Sequence, residues 1–284
     1  MAAKDLKSAD SEVACAKINL ALHVRRKLPN GYHELETVFA FVDCGDVVSV
    51  KPGKGISLSI IGPCAEGLSN TDNLVLDAAR LLASHSDQAS GADIILDKRL
   101  PVASGIGGGS ADAAATLRLL NRFWNTELSI SQLAALSEPL GADVPACVLS
   151  ETCVGKGIGQ HLLPIENRAL KSHHALLINP RIPVSTAAVF ADWDGIDRGA
   201  LQGGDVKDMA LFGRNDLQEP AERLAPLIGD ILIELDQTDP IVARMSGSGA
   251  TCFALYETAE EAAAAEQDVK LAMPDAWTMI GGLK

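Results

Sequence analysis

The chain has 284 residues, of which 47% are hydrophobic and 21% charged, a composition that favours one large or two modest globular domains. Its 24 Lys and Arg residues against 37 Asp and Glu residues give a net charge of −13, which repels nucleic acid and anionic membranes over most of the surface. We therefore expect no nucleic-acid and no membrane partner, and an anionic ligand must be bound by a few local cations and backbone amides.

The cellular setting is predicted from the start of the chain, its hydropathy and its cysteines. Residues 1–10 contain no apolar segment, so we expect no signal peptide. No apolar run reaches the about 18 residues of a membrane span. The six cysteines form no Cys-x-x-Cys motif, which predicts reduced thiols that mostly fill the core. These features together predict a cytoplasmic protein.

The first half of the chain is predicted to be rich in strands. The predicted strands cover residues 13–24, 35–42, 47–50, 56–60 and 93–96. Asn30-Gly31 predicts a tight turn between the first two, and Pro52 with Gly53 predicts a hairpin turn between the third and fourth. A helix is predicted over residues 74–83, with Thr71, Asp72 or Asn73 able to cap it.

Helices dominate the remainder. They are predicted from Ser110 to about residue 120, over 131–136, near 205–212 and 220–235, and after Thr258, which opens a capping box with Glu261. Strands are predicted over 174–178 and 250–256. Early strands paired by hairpins, without regular strand–helix alternation, predict the α+β class. The glycine-containing, weakly apolar stretch 155–173 predicts two domains, 1–160 and 161–284.

The strongest chemical signal is the glycine cluster Gly105-Ile-Gly-Gly-Gly-Ser110, which lies between a strand and a helix. Glycines let backbone N–H groups surround an anion, and the helix start adds a partial positive charge, so the segment is typical of a phosphate-binding loop. It lacks the Lys-Ser/Thr of a Walker A loop. The alternative is a plain flexible turn. Two further glycine clusters, at 155–159 and 246–249, are weaker signals of phosphate binding. Each is an ordinary turn when taken alone, but together with the first cluster they favour several loops that converge on one polyphosphate.

Three further positions are ambiguous from the residues alone. Lys17 shares a face of its strand with Asn19 and is either a functional cation or a solvent-facing lysine on an edge strand. Asp143 is either a functional carboxylate or a simple cap or turn aspartate. Tyr32 and His33 form either an exposed hairpin tip or a ligand contact. No cysteine and histidine spacing matches a zinc site, and no Gly-x-Ser-x-Gly elbow of a hydrolase is present.

These segments together resemble the three motifs of the GHMP small-molecule kinase superfamily. The matches are Ala16-Lys-Ile-Asn-Leu20 with Asn30-Gly-Tyr-His33, then Asp97-Lys-Arg-Leu-Pro101 through the glycine cluster, then Met245-Ser-Gly-Ser-Gly-Ala250. Leu140-Gly-Ala-Asp-Val-Pro145 and Asn215-Asp-Leu217 also resemble family segments. Because the set is ordered and covers nearly the whole chain, it is far more specific than any one motif.

The resemblance implies a fold and an activity. The fold would be an N-terminal domain like ribosomal protein S5 domain 2, followed by a ferredoxin-like C-terminal domain. The activity would be transfer of the ATP γ-phosphoryl group, with Mg²⁺, to the 2-hydroxyl of a cytidine-diphosphate-linked methylerythritol in the non-mevalonate isoprenoid route. Two alternatives are a mevalonate or homoserine type of kinase and a non-catalytic nucleotide sensor on the same fold. The protein would be a monomer or a weak dimer.

The resemblance also implies residue roles. Asp143 would be the general base and Lys17 the cation at the substrate hydroxyl. The ATP-binding set would be Pro101, Val102, Ala103, Ser104, Gly105, Ile106, Gly107, Gly108, Gly109, Ser110, Ala111, Asn73 and Lys98. The substrate-binding set would be Asn19, Tyr32, His33, Thr186 and Phe190.

The chain departs from the usual family pattern at several positions. Cys15 replaces a proline before the lysine motif, and Ala103 and Ser104 stand where glycine is common. Ala111 replaces the second serine of the loop, with Asp112 where Asn is usual. Ser110 is therefore the one hydroxyl at the loop's end that the pattern offers to Mg²⁺.

Overall fold

A computed structural model of the chain describes residues 11–87 and 89–284, so the expectation about a signal peptide in residues 1–10 concerns residues outside this part. The strands are β1 (Ser11–Lys27), β2 (His33–Pro52), β3 (Ile56–Ile61), β4 (Ala92–Asp97), β5 (Cys153–Gly157), β6 (His161–Pro164), β7 (His174–Asn179), β8 (Val242–Met245), β9 (Cys252–Tyr256) and β10 (Trp277–Gly282). The helices are α1 (Leu74–Ser84), α2 (Gly108–Phe123), α3 (Ile130–Leu136), α4 (Val144–Leu149), α5 (Thr186–Ala191), α6 (Val206–Phe212), α7 (Gln218–Leu224), α8 (Leu227–Asp236) and α9 (Ala259–Ala272). The mixture confirms the α+β class.

Contacts group the chain into two compact units, and neither is continuous in sequence. The first comprises Met1–Cys15, described from residue 11, with Gly45–Val102 and Gly108–Leu149. The second comprises Ala16–Cys44, Ala103–Gly107 and Ser150–Lys284. This grouping differs from a single division after residue 160, because most of β1 and the first half of β2 join the second unit. The domain boundaries along the sequence stay a prediction.

In the first unit, β4 lies between the second half of β2 and β3. It pairs antiparallel with β2, Val47 opposite Asp97, and parallel with β3, Ile56 opposite Ala92. The predicted hairpin between residues 47–50 and 56–60 is therefore wrong, because β4 takes the hydrogen bonds that a hairpin would make. Helix α1 packs against α2, and α2 packs against α4. Asn73 caps α1 as predicted, accepting a hydrogen bond from the Val75 N–H.

In the second unit, four antiparallel strands form a sheet in the order β10-β7-β9-β8. Along the chain the elements run β7, helices, β8, β9, α9, β10, which is the β-α-β-β-α-β arrangement of ferredoxin-like folds and confirms that expectation. Helices α8 and α9 pack on this sheet. The helix predicted over 220–235 is two helices, α7 and α8, with Pro226 in the break between them.

The second unit also holds the pairing of β2, over Leu35–Phe39, with β5 and of β5 with β6. The glycine cluster at 155–159 forms this strand and its turn, so it is an ordinary structural feature. All six cysteines are free thiols, four of them buried, as predicted. Among the helices of the described residues, none has the length and hydropathy needed to cross a membrane.

Candidate functional site

Lys17 is a buried cation on β1. Only 4% of its surface is exposed, so the alternative of a solvent-facing lysine on an edge strand is wrong. Its ammonium lies 3.4 Å from Asn19 Oδ1 and 4.5 Å from the centroid of the Phe39 ring. An amide oxygen and the face of an aromatic ring both stabilise an ammonium. These two contacts fix the position of the Lys17 ammonium within the second unit.

Asn19 is fixed by hydrogen bonds on two sides. Its Nδ2 donates to Thr37 Oγ1 at 2.8 Å, and the Thr37 hydroxyl donates to the Ala21 carbonyl at 2.6 Å. The Asn19 backbone N–H donates to Ser246 Oγ at 3.1 Å. With its amide N–H groups held in this way, Asn19 presents Oδ1 to the Lys17 ammonium.

The loop Ala103–Gly107 contacts the glycine cluster at 246–249. The Ser246 hydroxyl donates to the Gly105 carbonyl at 2.9 Å, and the Thr251 N–H donates to the Ser104 carbonyl at 3.1 Å. Gly105 has φ +78°, and a Cβ there would lie 2.5 Å from the Ser246 carbonyl oxygen, so only glycine fits. The Lys17 N–H donates to the Ile106 carbonyl at 3.0 Å. The second unit thus brings together residues of all three sequence motifs.

Asn215 and Asp216 join the same region to β1. Asn215 Nδ2 donates to the carbonyls of Met245 and Gly247, each at 2.8 Å. Asp216 Oδ2 accepts a hydrogen bond from the Val24 N–H at 2.8 Å. Both side chains are buried, so the polar residues of the segment 215–217 fix the backbone beside the third motif.

In the first unit, Lys98 lies between two carboxylates. Its ammonium is 2.5 Å from Asp46 Oδ2 and 2.7 Å from Asp112 Oδ2, and all three side chains are at most 5% exposed. Asp46 Oδ1 also accepts hydrogen bonds from the N–H groups of Arg99 and Leu100. Asp46 thereby fixes both the side chain of Lys98 and the chain that follows it. Sequence analysis missed Asp46, which directly precedes the apolar pair Val47-Val48.

Burial and the neighbouring charges shift the pKa values of Lys98 and Asp112. Burial lowers the pKa of Lys98, but the two carboxylates outweigh it and raise the pKa overall. Burial, partly offset by the Lys98 ammonium, raises the pKa of Asp112 to about 8. Helix α2 begins at Gly108, two residues earlier than predicted, and a Cβ at Gly108 would lie 3.1 Å from the Lys98 ammonium. The first turn of α2 therefore packs directly against this cluster.

The predicted ATP loop is divided between the two units. Pro101 and Val102 belong to the first unit and Ala103–Gly107 to the second, while Gly108 to Ala111 form the first turn of α2 in the first unit. Asn73 serves as the cap of α1. ATP contacts of these residues stay predictions.

Asp143 immediately precedes α4, a helix that the sequence analysis did not predict. Its carbonyl accepts a hydrogen bond from the Cys147 N–H at 3.1 Å, and the residue is partly buried. Pro145 stands in the first turn of α4, where a missing N–H costs nothing. Asp143 thus lies in the turn that leads into α4, so the alternative of a simple cap or turn aspartate stays open, and its role in catalysis stays a prediction.

The predicted substrate residues are partly assembled. The ring of His33 stacks on that of Phe190 at 4.8 Å and meets Trp193 edge-on at 5.7 Å. Thr186, one helical turn before Phe190 on α5, has its hydroxyl 2.8 Å from that of Ser248. Tyr32 is 60% exposed in the turn before β2. Because His33 covers one face of Phe190, a base cannot stack on that face without displacing the histidine. Trp193 was missed by the sequence analysis.

Oxygen donors are available in the first turn of α2. In the described residues, no three His, Cys, Asp or Glu side chains form a cluster that could hold a metal. The Ser110 hydroxyl is a hard oxygen donor, whereas the Asp112 carboxyl is buried and paired with Lys98. Mg²⁺ prefers hard oxygen donors and takes most of its remaining ligands from phosphates and water, so Ser110 fits an ATP-bound Mg²⁺.

Family comparisons match both parts of the chain. The family model for the GHMP kinases N terminal domain matches residues 73–151, and the one for the GHMP kinases C terminal domain matches residues 204–275. A 4-diphosphocytidyl-2-C-methyl-D-erythritol kinase from Novosphingobium aromaticivorans is 48% identical over 271 residues, covering 95% of this chain and 91% of the relative. A protein of the same name from Sphingopyxis alaskensis is 48% identical, covering 96% of this chain and 98% of its own.

Solved structures give a consistent result. A crystal structure of 4-(cytidine 5'-diphospho)-2C-methyl-D-erythritol kinase matches with a TM-score of 0.77 and 32% identity, covering 96% of this chain and 99% of that one. A homoserine kinase from Cytophaga hutchinsonii matches with a TM-score of 0.69 and 16% identity, covering 100% and 97% of the two chains. At that identity the second likeness shows the fold alone.

Proposed function

Because this chain belongs to the GHMP kinase family, we propose that it transfers the γ-phosphoryl group of ATP to the 2-hydroxyl of 4-diphosphocytidyl-2-C-methyl-D-erythritol. GHMP kinases use ATP as the phosphoryl donor, and the relatives that carry this substrate's name match almost the full length of the chain. The observation that carries the proposal is the convergence of Lys17, the loop Ala103–Gly107 and Ser246 in the second unit.

The donor phosphates would be bound mainly by backbone groups. The glycines of the loop leave N–H groups accessible, and the start of α2 adds a partial positive charge of about half a unit. Lys17 adds an ammonium charge in the second unit, whereas the Lys98 ammonium of the first unit is balanced by Asp46 and Asp112. Such local charge is necessary because both substrates are polyanions and the chain carries a net charge of −13. Mg²⁺, for which Ser110 is the proposed side-chain ligand, would neutralise charge between the phosphates when bound.

The residues proposed for chemistry are Asp143 and Lys17. Asp143 would accept the proton of the attacking hydroxyl, and the buried Lys17 ammonium would stabilise the negative charge that develops on the transferred group. Phosphoryl transfer passes through a loose transition state, so alignment and charge neutralisation contribute more than proton abstraction. This assignment makes Asp143 and Lys17 catalytic residues and leaves Asn19 to orient the ammonium.

Two other functions remain as alternatives with distinct expectations. A mevalonate or homoserine kinase would have no use for the aromatic residues His33 and Phe190, which lie together in this chain. A nucleotide sensor that has lost catalysis would be expected to lack Lys17 or Asp143, and both are present. These observations support the cytidylated substrate.

The experiment is an ADP-release assay with ATP and Mg²⁺ that compares the cytidylated alcohol, mevalonate and homoserine. We expect turnover with the first substrate only, and loss of that turnover in Asp143→Asn. Asp93→Asn, at an exposed carboxylate that accepts a hydrogen bond from the Ser57 hydroxyl in the first unit, is the matched control. Turnover of mevalonate or homoserine instead would overturn the substrate assignment, and no turnover with any alcohol would favour the sensor.

A further inference from the structure

A cavity of about 280 Å³ in the second unit is lined by charged side chains that the proposed phosphoryl transfer does not use. The charged lining residues are Arg198, Arg214, Arg223, Arg244, Asp194, Asp216 and Glu219. Four arginines against three carboxylates give the lining a net charge of +1. Because the chain as a whole carries a net charge of −13, a lining whose positive charges at least match its negative charges repels an anion less than the average surface does.

Arg244, on β8, is the most buried of these arginines, with 8% of its surface exposed. Its Nη1 donates to the backbone carbonyl of Ala210 at 2.9 Å and to that of Leu20. Among the described residues no carboxylate forms an ion pair with it, and burial lowers the pKa of its guanidinium to about 10. A buried charge without a counter-ion is costly, so an external anion would stabilise this arrangement.

The other three arginines already have carboxylate partners. Arg214 pairs with Asp216 at 2.6 Å and Arg198 pairs with Asp194 at 2.6 Å, which neutralises two of the lining carboxylates. Arg223 pairs at 2.8 Å with Asp192, which is not part of the lining. Glu219 is the remaining carboxylate of the lining and is exposed. Arg244 is therefore the one lining arginine without a carboxylate partner among the described residues.

We propose that this cavity binds a small oxyanion of the phosphate class, with the Arg244 guanidinium as its counter-ion. A guanidinium presents several N–H donors in a plane that matches the oxygens of a phosphate, and two of its nitrogens, Nε and Nη2, are not engaged by the two carbonyls. The volume is near the lower end of small-molecule sites, which suits a phosphate or diphosphate group. None of the lining residues belongs to the sets proposed for ATP and for the hydroxyl substrate, although Trp193, which meets the ring of His33, is part of the lining.

The test is calorimetric titration of inorganic phosphate into the full chain at constant ionic strength. Mg²⁺ and a non-hydrolysable ATP analogue are kept at saturation, so that phosphate cannot enter the proposed ATP loop. Sodium chloride replaces phosphate in a parallel titration as the control for ionic strength. A second arm uses diphosphate, because tighter binding of diphosphate than of phosphate would assign the site to the diphosphate end of a larger ligand.

Three variants decide the outcome. Arg244→Gln is expected to weaken phosphate binding by about 10–150-fold, the range for losing hydrogen bonds to a charged group. Arg223→Gln, which removes an exposed charge from the lining, is expected to weaken it by about 2–5-fold. Arg168→Gln, the same substitution at an exposed ion pair with Glu166 outside the cavity, is the matched control and should bind as the unmodified chain does.

Several results would overturn the proposal. The first is a heat of phosphate titration no larger than that of the chloride control. The second is the same affinity for phosphate in Arg223→Gln and in Arg168→Gln. Equal weakening in all three variants would show a general effect of net charge and would equally reject the site. Arg244→Gln is not usable if the loss of its hydrogen bonds to Leu20 and Ala210 prevents folding. In that case the comparison of phosphate affinity between Arg223→Gln and Arg168→Gln still tests the proposal.

Discussion

The Lys98 ammonium lies 2.5 Å from Asp46 Oδ2, and the two side chains are 4% and 0% exposed. The ion pair joins β2 to the residue that follows β4. Asp46 also accepts hydrogen bonds from the backbone N–H groups of Arg99 and Leu100, which come next in the chain. Since the first turn of α2 packs against the same ammonium, a single buried carboxylate within β2 supports the start of the proposed phosphate-binding helix.

Asp46→Asn is expected to destabilise the chain strongly. Removing one partner of a buried ion pair costs about 3–5 kcal/mol, because the other charge stays buried without compensation. The free energy of unfolding in urea measures this. Asp97→Asn, which breaks a partly exposed pair with Arg99, should cost at most about 1 kcal/mol. Equal losses in the two variants would mean that the Lys98 charge is satisfied without Asp46.

Gly108→Ala and Gly109→Ala, neighbours in the first turn of α2, are expected to differ. A Cβ at Gly108 would lie 3.1 Å from the Lys98 ammonium, which two carboxylates hold in place, whereas a Cβ at Gly109 would make an ordinary 3.6 Å contact with Leu74. Gly109→Ala should gain up to about 1 kcal/mol of helix stability, and Gly108→Ala should lose stability. Denaturant unfolding of both variants tests this, and similar changes would show that Lys98 is free to move.

Substitution of the proposed catalytic residues should lower kcat more than it raises KM. A general base contributes about 10²–10⁴-fold, so Asp143→Asn should lose kcat in that range. Lys17→Met should give a comparable loss, since the ammonium acts mainly in the transition state. Lys156→Met, at a lysine 61% exposed in its side chain, is the control and should retain activity. A rise in KM alone would reassign both residues to substrate binding.

Phe190→Ala tests the proposed contact with cytosine. Base–aromatic stacking is worth about 1–3 kcal/mol, so KM for the cytidylated substrate should rise about 5–150-fold while KM for ATP stays unchanged. Phe190 also packs against the core of the second unit, which makes loss of core packing the competing explanation. Phe212→Ala, at a phenylalanine 75% exposed, is the control. A large fall in Tm with parallel losses for both substrates would reject the stacking role.

His23 is expected to make stability depend on pH. Burial, then the charge of Arg214, lower the pKa of its imidazole below the ordinary 6.5. The ring is held neutral, since Nε2 accepts from the Arg214 N–H and Nδ1 then donates to the Gly199 carbonyl. The unfolded state therefore binds the proton more readily, and stability falls as the pH decreases from 6.5 to the lowered pKa.

The slope of this loss cannot exceed about 1.4 kcal/mol per pH unit for a single proton. The free energy of unfolding in urea, measured at pH 7.5, 6.5 and 5.5, should decrease as the pH is lowered in the unmodified chain. It should decrease equally in His85→Gln, a control variant at an exposed histidine. His23→Gln should show a smaller decrease over the same interval. A steeper or unchanged slope in His23→Gln would place the titrating group elsewhere.

Local elements were predictable wherever a local signal existed. The Asn73 cap predicted α1, and the Thr258–Glu261 capping box predicted α9, because both signals act through hydrogen bonds within a few residues. The short helices α4 and α5 and the strands β8 and β10 were missed. Some similarly short elements, such as β4 and α3, were predicted from their residue patterns. The four that were missed have only four to six residues and no such pattern, and they are stabilised by packing against the rest of the fold.

The sequence alone determined the class of the fold, the family and the three motifs, since ordered motifs persist in the chain regardless of its folded shape. It left open whether Lys17 faces solvent, and it missed Asp46, Trp193 and the pairing of β4 between β2 and β3. Burial and ion pairing depend on contacts between residues far apart in the chain: Asp46 and Lys98 are separated by 52 positions, and Asn19 and Ser246 by 227. Only the tertiary structure brings such groups within reach of one another, and therefore only it decides which charges are buried and what compensates them.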